Sequence, residues 1–208
     1  SVKRVEDKRF ITGKGKYTDD IILPGMTYAA FVRSPYSHAK IKKVDIAAAK
    51  KMSGVVAIFT GADVAAINGV PCGWQVNFKN GETMKEPKHP LLVADKVRHV
   101  GDPVALIIAE TREQAKDAIE AINVDYEKLS CVTNPAEAAK SGAPLVHDDV
   151  PGNTCYDWEL GNPKAEVDAA MTKAAHVTKL EFINQRLVPN AMEPRSYIGS
   201  YDDTSDKY

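Results

Sequence analysis

Cysteine is scarce in this 208-residue chain, which has only Cys72, Cys131 and Cys155. They are odd in number and far apart, with no C-x-x-C pair, which argues against a disulfide framework and against a zinc or iron–sulfur cradle. Long apolar runs are missing too. None approaches the roughly 20 residues of a membrane span, and the opening SVKRVEDKRF lacks the apolar core of a signal peptide. The expectation is a cytoplasmic protein with no membrane span. Neither charge is in excess: 27 basic and 28 acidic residues leave a net charge of −1. No global field would gather nucleic acid or an anionic membrane, so no nucleic-acid partner is expected. A basic cluster (Lys40, Lys42, Lys43, Lys50, Lys51) reads as a solvated face or, alternatively, as a docking patch.

What is present is organised around residues 99–126. Residues 104–109 (VALIIA) are an apolar, β-branched run behind Pro103, too short for a helix, and read as a strand buried on both faces. Thr111 is placed to cap a helix, with Gln114 reaching back to its N–H, and Ala115, Ala118, Ile119 and Ile122 share one helical face. Val124 and Tyr126 resume alternation. The unit is strand, helix, strand, with a right-handed crossover if the two strands are parallel.

Upstream, residues 26–33 and 39–44 read as strands, Asp45 caps a short helix that Gly54 ends, and residues 55–59 form another buried strand. A further short helix is expected from Gly61, and a short strand at 91–93, with residues 68–88 an irregular excursion between them. Downstream, residues 135–140 give a helical turn and 141–144 (SGAP) a linker. Asn162-Pro163 opens a helix presenting Val167, Ala170, Met171 and Ala174, and residues 175–186 and 192–201 alternate like strands. One helix and two strands bury too little apolar surface to stand alone, so this last segment is expected to find its partners elsewhere.

Catalytic motifs are few in the chain. There is no P-loop, no G-x-S-x-G elbow and no H-E-x-x-H, and Gly13-x-Gly15 lacks the third glycine and the leading strand of a dinucleotide site. His147 beside Asp148 and Asp149 is a solvated loop or, alternatively, a base or metal ligand. Residues 184–195 (NQRLVPNAMEPR) concentrate Gln185, Arg186, Asn190, Glu193 and Arg195 around two prolines, a setting in which sites are often built. The plainer reading is a Glu–Arg pair bracing a turn.

The runs YTDDIILPGMTYAAFVRSPYSHAKIKKVD, GVVAIFTGAD and HPLLVADKVRHVGDPVALIIAETREQAKDA, with VDYE, resemble the opening domain of the large subunit of the molybdenum hydroxylases. This is the family of xanthine dehydrogenase, aldehyde oxidase and aerobic carbon monoxide dehydrogenase. APLVHDDVPGNTCYDWELGN and EFINQRLVPNAMEPRSYIGSYD resemble the linker and first strands of the same subunit's molybdenum-binding region. The resemblance implies an α/β (α+β) fold: an N-terminal arm (1–16), an α/β-hammerhead domain (17–130), a linker (131–150) and the start of a molybdopterin-binding domain (151–208). It implies an oxidoreductase that hydroxylates a substrate carbon with oxygen from water, using molybdenum on molybdopterin, in bacteria commonly the cytosine dinucleotide form. Electrons would leave through iron–sulfur and FAD partners.

The resemblance has limits in the residues themselves. The family's glycine-rich molybdopterin contact and its late catalytic glutamate have no counterpart here, so no catalytic residue and no metal ligand carries over. Glu193 and Arg195 match the family's M-E-P-R stretch and are expected near the cofactor pocket. The chain is expected to be the N-terminal part of such a subunit, completed by the remainder of the large subunit and inactive alone. A naturally short interaction module docked on a separate catalytic chain is the alternative, and pairing of the last strands between copies, giving a homodimer, is a third. Substrate is not legible.

Overall fold

The computed structural model describes residues 4–67, 69–185, 187–191 and 194–208. They form two compact units, residues 27–164 and residues 1–26 with 165–208.

In the first unit the expected run is strand β5 (Pro103–Ala109), fully buried on one face while Leu106 and Ile108 on the other are half-buried, in the middle of a sheet ordered β1-β5-β3 with β1 (Tyr28–Arg33) and β3 (Val55–Thr60). Both pairings are antiparallel. Ile107 lies between Ala30 and Ile58 in register, and Ala105, Ile107 and Ala109 have no exposed surface. Helix α2 (Arg112–Glu120) covers that face with Ala115 and Ala118. Its start is the expected capping box: Thr111 Oγ1 accepts from the Gln114 N–H at 3.2 Å, and Gln114 Oε1 accepts from the Thr111 N–H at 3.0 Å. The core here is Val32, Ala49, Ile58, Ala105, Ile107, Ala118 and Ile122.

A second antiparallel sheet is ordered β4-β2-β6, from β4 (Lys96–Val97), β2 (Ala39–Asp45) and β6 (Asn123–Lys128). Its core holds Ala39, Val93, Val97 and Val104, while Val44 and Val124 touch both cores. The lysines of β2 form a wet face, with Lys42 paired to Glu127 at 2.7 Å and Lys43 to Asp45 at 2.8 Å.

The crossovers differ from a βαβ unit. β5 and β6 flank α2 but lie in different sheets, and every strand pairing of these sheets is antiparallel. The same holds for β2 and β3, joined through a 3-10 turn (Ala49–Lys51) that is shorter than the expected helix. Asp45 Oδ1 accepts from the Ala47 N–H at 3.1 Å, and Gly54, at φ 78°, reverses the chain. Two further expectations fail. From Gly61 the chain makes successive turns instead of a helix: Asp63 N bonds Thr60 O (3.1 Å), Ala65 N bonds Ala62 O (3.5 Å) and Ile67 N bonds Val64 O (3.0 Å), each closing over three residues. Residues 91–93 are not a strand: the Val93 N–H goes to Pro103 O at 2.7 Å, and regular pairing starts only at β4.

The 68–88 excursion has no helix or strand among its described residues and is strapped to the 155–157 backbone through Lys85 N to Cys155 O (2.8 Å) and Lys79 N to Asp157 O (3.0 Å). Helix α3 (Pro135–Ala138) is capped by Asn134, whose Oδ1 accepts from the Ala136 N–H at 2.9 Å. Asn153, at φ 53°, gathers the following loop, accepting from Val146 N at 2.8 Å and donating to Ala138 O at 2.9 Å and Pro144 O at 3.0 Å.

The second unit contains α1 (Asp7–Ile11) and nearly all of α4 (Lys164–Lys173), neither with a buried residue. The strands expected over 175–186 and 192–201 do not form among the described residues. Alternation supplies a face but not a neighbour for the backbone to pair with. Leu180, Phe182, Ile183 and Leu187 remain 77–84% exposed.

These contrasts set an expectation for stability. Ile107→Ala should cost about 2–5 kcal/mol, read from the urea midpoint by tryptophan fluorescence, while Phe182→Ala should stay within about 0.5 kcal/mol. Comparable losses for both would contradict the packing described.

Candidate functional site

Of the polar residues grouped in 184–195, Gln185, Asn190 and Arg195 are exposed. Arg186 and Glu193 lie outside the described residues, and with Glu193 the Glu–Arg brace does too. Asn190 holds a left-handed backbone at φ 48°. Asp148, next to His147, is brought to β4, where its Oδ2 takes the Lys96 ammonium at 2.7 Å. Among the described residues no three metal-ligating side chains meet, and the three cysteines are free.

The densest polar arrangement was not singled out from sequence. It is built on the turn between β4 and β5. Asp102, 4% exposed, accepts from the backbone N–H groups of Arg98 (2.6 Å) and His99 (3.2 Å), and its other oxygen lies 3.0 Å from His99 Nδ1. That carboxylate fixes the turn. Arg98 then reaches back, donating from Nη1 to Lys96 O at 2.8 Å, while its Nε is buried without a partner.

His38, immediately before β2, packs beside this turn. Its Nδ1 is 2.7 Å from Ser130 O, and because a carbonyl only accepts, Nδ1 carries the proton and leaves Nε2 buried and unpartnered. Arg98, His38, His99, Cys131, Thr133 and Val146 are among the residues lining a cavity of about 320 Å³. The Ser37 hydroxyl donates to Cys131 Sγ at 3.1 Å, so the thiol meets a hydroxyl and not an imidazole base. The arrangement presents charge and shape for binding, not an activated nucleophile. Two of its signals were in the sequence as isolated residues: Asp102 before Pro103, and His38 after Ser37. Nothing local joins them to Arg98.

Electrostatics follow the geometry. The Lys96 ammonium, by its hydrogen bond and then its charge, holds the Asp148 carboxyl below the usual carboxylate range. Burial pushes the His147 imidazole down, reinforced by the Arg98 guanidinium.

Residues 12–130 match the family model described as "Aldehyde oxidase and xanthine dehydrogenase, a/b hammerhead domain", and residues 146–208 match "Molybdopterin cofactor-binding domain". The carbon monoxide dehydrogenase large chain of Afipia carboxidovorans is 36% identical over 96% of this chain and 25% of its own length. The nicotine 6-hydroxylase large subunit of Paenarthrobacter nicotinovorans is 35% identical over 99% of this chain and 24% of its own. A solved structure of reconstituted CO dehydrogenase from Oligotropha carboxidovorans superposes with a TM-score of 0.67 at 36% identity, covering 84% of this chain and 22% of that one. The chain thus spans about a quarter of the length of the curated relatives it matches.

A molybdopterin site is implied by these matches, and the residues present do not build one. Described residues of 165–208 include no buried side chain, Arg195 is exposed, and no metal-ligating trio exists among the described residues. No catalytic step is therefore derived from this chain's side chains.

The two shifted groups make a pH prediction. With its folded pKa lowered, His147 binds fewer protons folded than unfolded just below its ordinary value near 6.5, so its contribution to stability rises with pH through that window and is lost on acidification. Asp148, also lowered, contributes above the unfolded carboxylate pKa and loses that contribution as pH falls through its folded value. His147→Gln should shrink the difference in urea midpoint between pH 7.5 and 5, and Asp148→Asn the further drop below pH 4. A pH profile unchanged in both variants would contradict the assignment.

Proposed function

This chain belongs to the aldehyde oxidase and xanthine dehydrogenase family, and from that membership we propose that it forms the hammerhead domain and the opening of the molybdopterin-binding region of a molybdenum hydroxylase large subunit. In this reading residues 17–130 are the hammerhead, 131–150 the linker and 151–208 the start of the cofactor domain. When bound, molybdenum on molybdopterin in its cytosine dinucleotide form supplies oxidation of a substrate carbon with oxygen from water. Electrons pass to iron–sulfur and FAD partners, and the assembly works in the cytoplasm. The role of these 208 residues is scaffolding, with Glu193 and Arg195 beside the pterin pocket through their M-E-P-R context.

The observation that carries the proposal is the apolar row Leu180, Phe182, Ile183 and Leu187, left in water although the segment around it has the sequence of a cofactor domain. Such a row needs cover from further polypeptide. The same row suits a short subunit docked on a separate catalytic chain, which is the second reading.

Two measurements test this. The 208-residue chain alone should retain no molybdenum and give no dye-linked oxidation of purines, aldehydes or carbon monoxide. Turnover by the chain alone would overturn the scaffold role. Expressed in one reading frame with polypeptide corresponding to the rest of a relative's large subunit, it should gain molybdenum, and Glu193→Gln with Arg195→Met should lower that content. Assembly that succeeds only when the two are separate chains would favour the docked subunit.

A further inference from the structure

The cavity beside the β4–β5 turn has a chemistry that nothing in the scaffold role uses. Its lining combines one guanidinium, two imidazoles, and hydroxyl and thiol groups with valine and proline, and contains no carboxylate side chain. The nearby carboxylates are already engaged: Asp148 with Lys96, and Asp102 with the turn backbone and the His99 ring. Asp95 pairs with Arg98 as an ion pair at 3.9 Å from Nη1, a distance beyond hydrogen-bond reach. Arg98 has five N–H donors, and its Nε has no partner. His38 is 9% exposed, and with its proton on Nδ1 its Nε2 is an acceptor without a partner. The Arg98 guanidinium, a cationic end, is thus joined to an apolar wall formed by Val100, Val132, Pro144 and Val146.

We infer that this cavity binds a small organic carboxylate, its charged end on the Arg98 guanidinium and its body against the valine and proline side chains. The volume, about 320 Å³, is at the lower end of the roughly 300–1,000 Å³ found for ligand sites. A planar guanidinium matches a carboxylate in two-point geometry. The wall favours an aliphatic or aromatic body over a bare inorganic ion. The inference is independent of the molybdenum chemistry proposed above, because none of its residues lies in 151–208.

Cys131 lines the cavity and provides the readout, with exposed Cys72 as internal control. Iodoacetamide alkylation of each thiol in the full chain is followed by peptide mass spectrometry, with benzoate or neutral benzamide as probe. Benzoate at roughly ten times its dissociation constant should slow Cys131 about tenfold by mass action and leave Cys72 unchanged. Benzamide should protect far less, and Arg98→Met should abolish the benzoate effect. The benzoate–benzamide comparison needs no variant, so it decides the matter even if Arg98→Met fails to fold. No protection by benzoate, equal protection by benzamide, or undiminished protection in a folded Arg98→Met chain would overturn the site. So would protection of Cys131 by an assembled partner polypeptide but not by benzoate, which would give the cavity to a protein side chain.

Discussion

The backbone of β5 is the constraint from which the first unit follows. A strand with Ala105, Ile107 and Ala109 sealed from solvent has no water for its N–H and C=O groups, so both edges must be paired. β1 and β3 do that, antiparallel on either side. Its inner face then needs a lid of small residues, which α2 provides through Ala115 and Ala118. The outer face is left with Leu106 flanked in register by Phe31 and Phe59, each 40% exposed.

The connections between consecutive strands, each of which passes from one sheet to the other, make one body of two sheets. β2 leads into β3 and β5 leads through α2 into β6, so each passage carries the chain from one sheet to the other. Val44 and Val124, on paired strands of the second sheet, contribute to both cores. Asp102 works at the same junction, tying the turn that delivers the chain from β4 into β5.

How much of this could be read in the residues depended on range. The VALIIA strand and the Thr111–Gln114 cap were legible because their causes lie within a few positions of each other. Which sheet each strand joins was not, since β6 chooses β2 across some 80 residues and no local pattern encodes that choice. The alternation at 175–186 was real as a pattern yet formed no strand, because pairing needs a second edge. The helix expected from Gly61 breaks into separate three-residue turns, although Asp63 bonds back to Thr60 as Gln114 does to Thr111. At the sites, the M-E-P-R wording drew notice to Glu193 and Arg195, whereas His38, Arg98 and Cys131 share one cavity only through the fold.

Gly54 joins two demands that are usually separate. Its φ of 78° asks for a residue without a side chain, and a Cβ added there would run into the Gln114 amide, the group that closes the Thr111 cap. Glu110 also donates its N–H to Gly54 O at 2.8 Å. Any residue with a Cβ at position 54 would have to turn the flexible Gln114 amide away from Thr111, so one missing side chain secures both the chain reversal and the first turn of the helix.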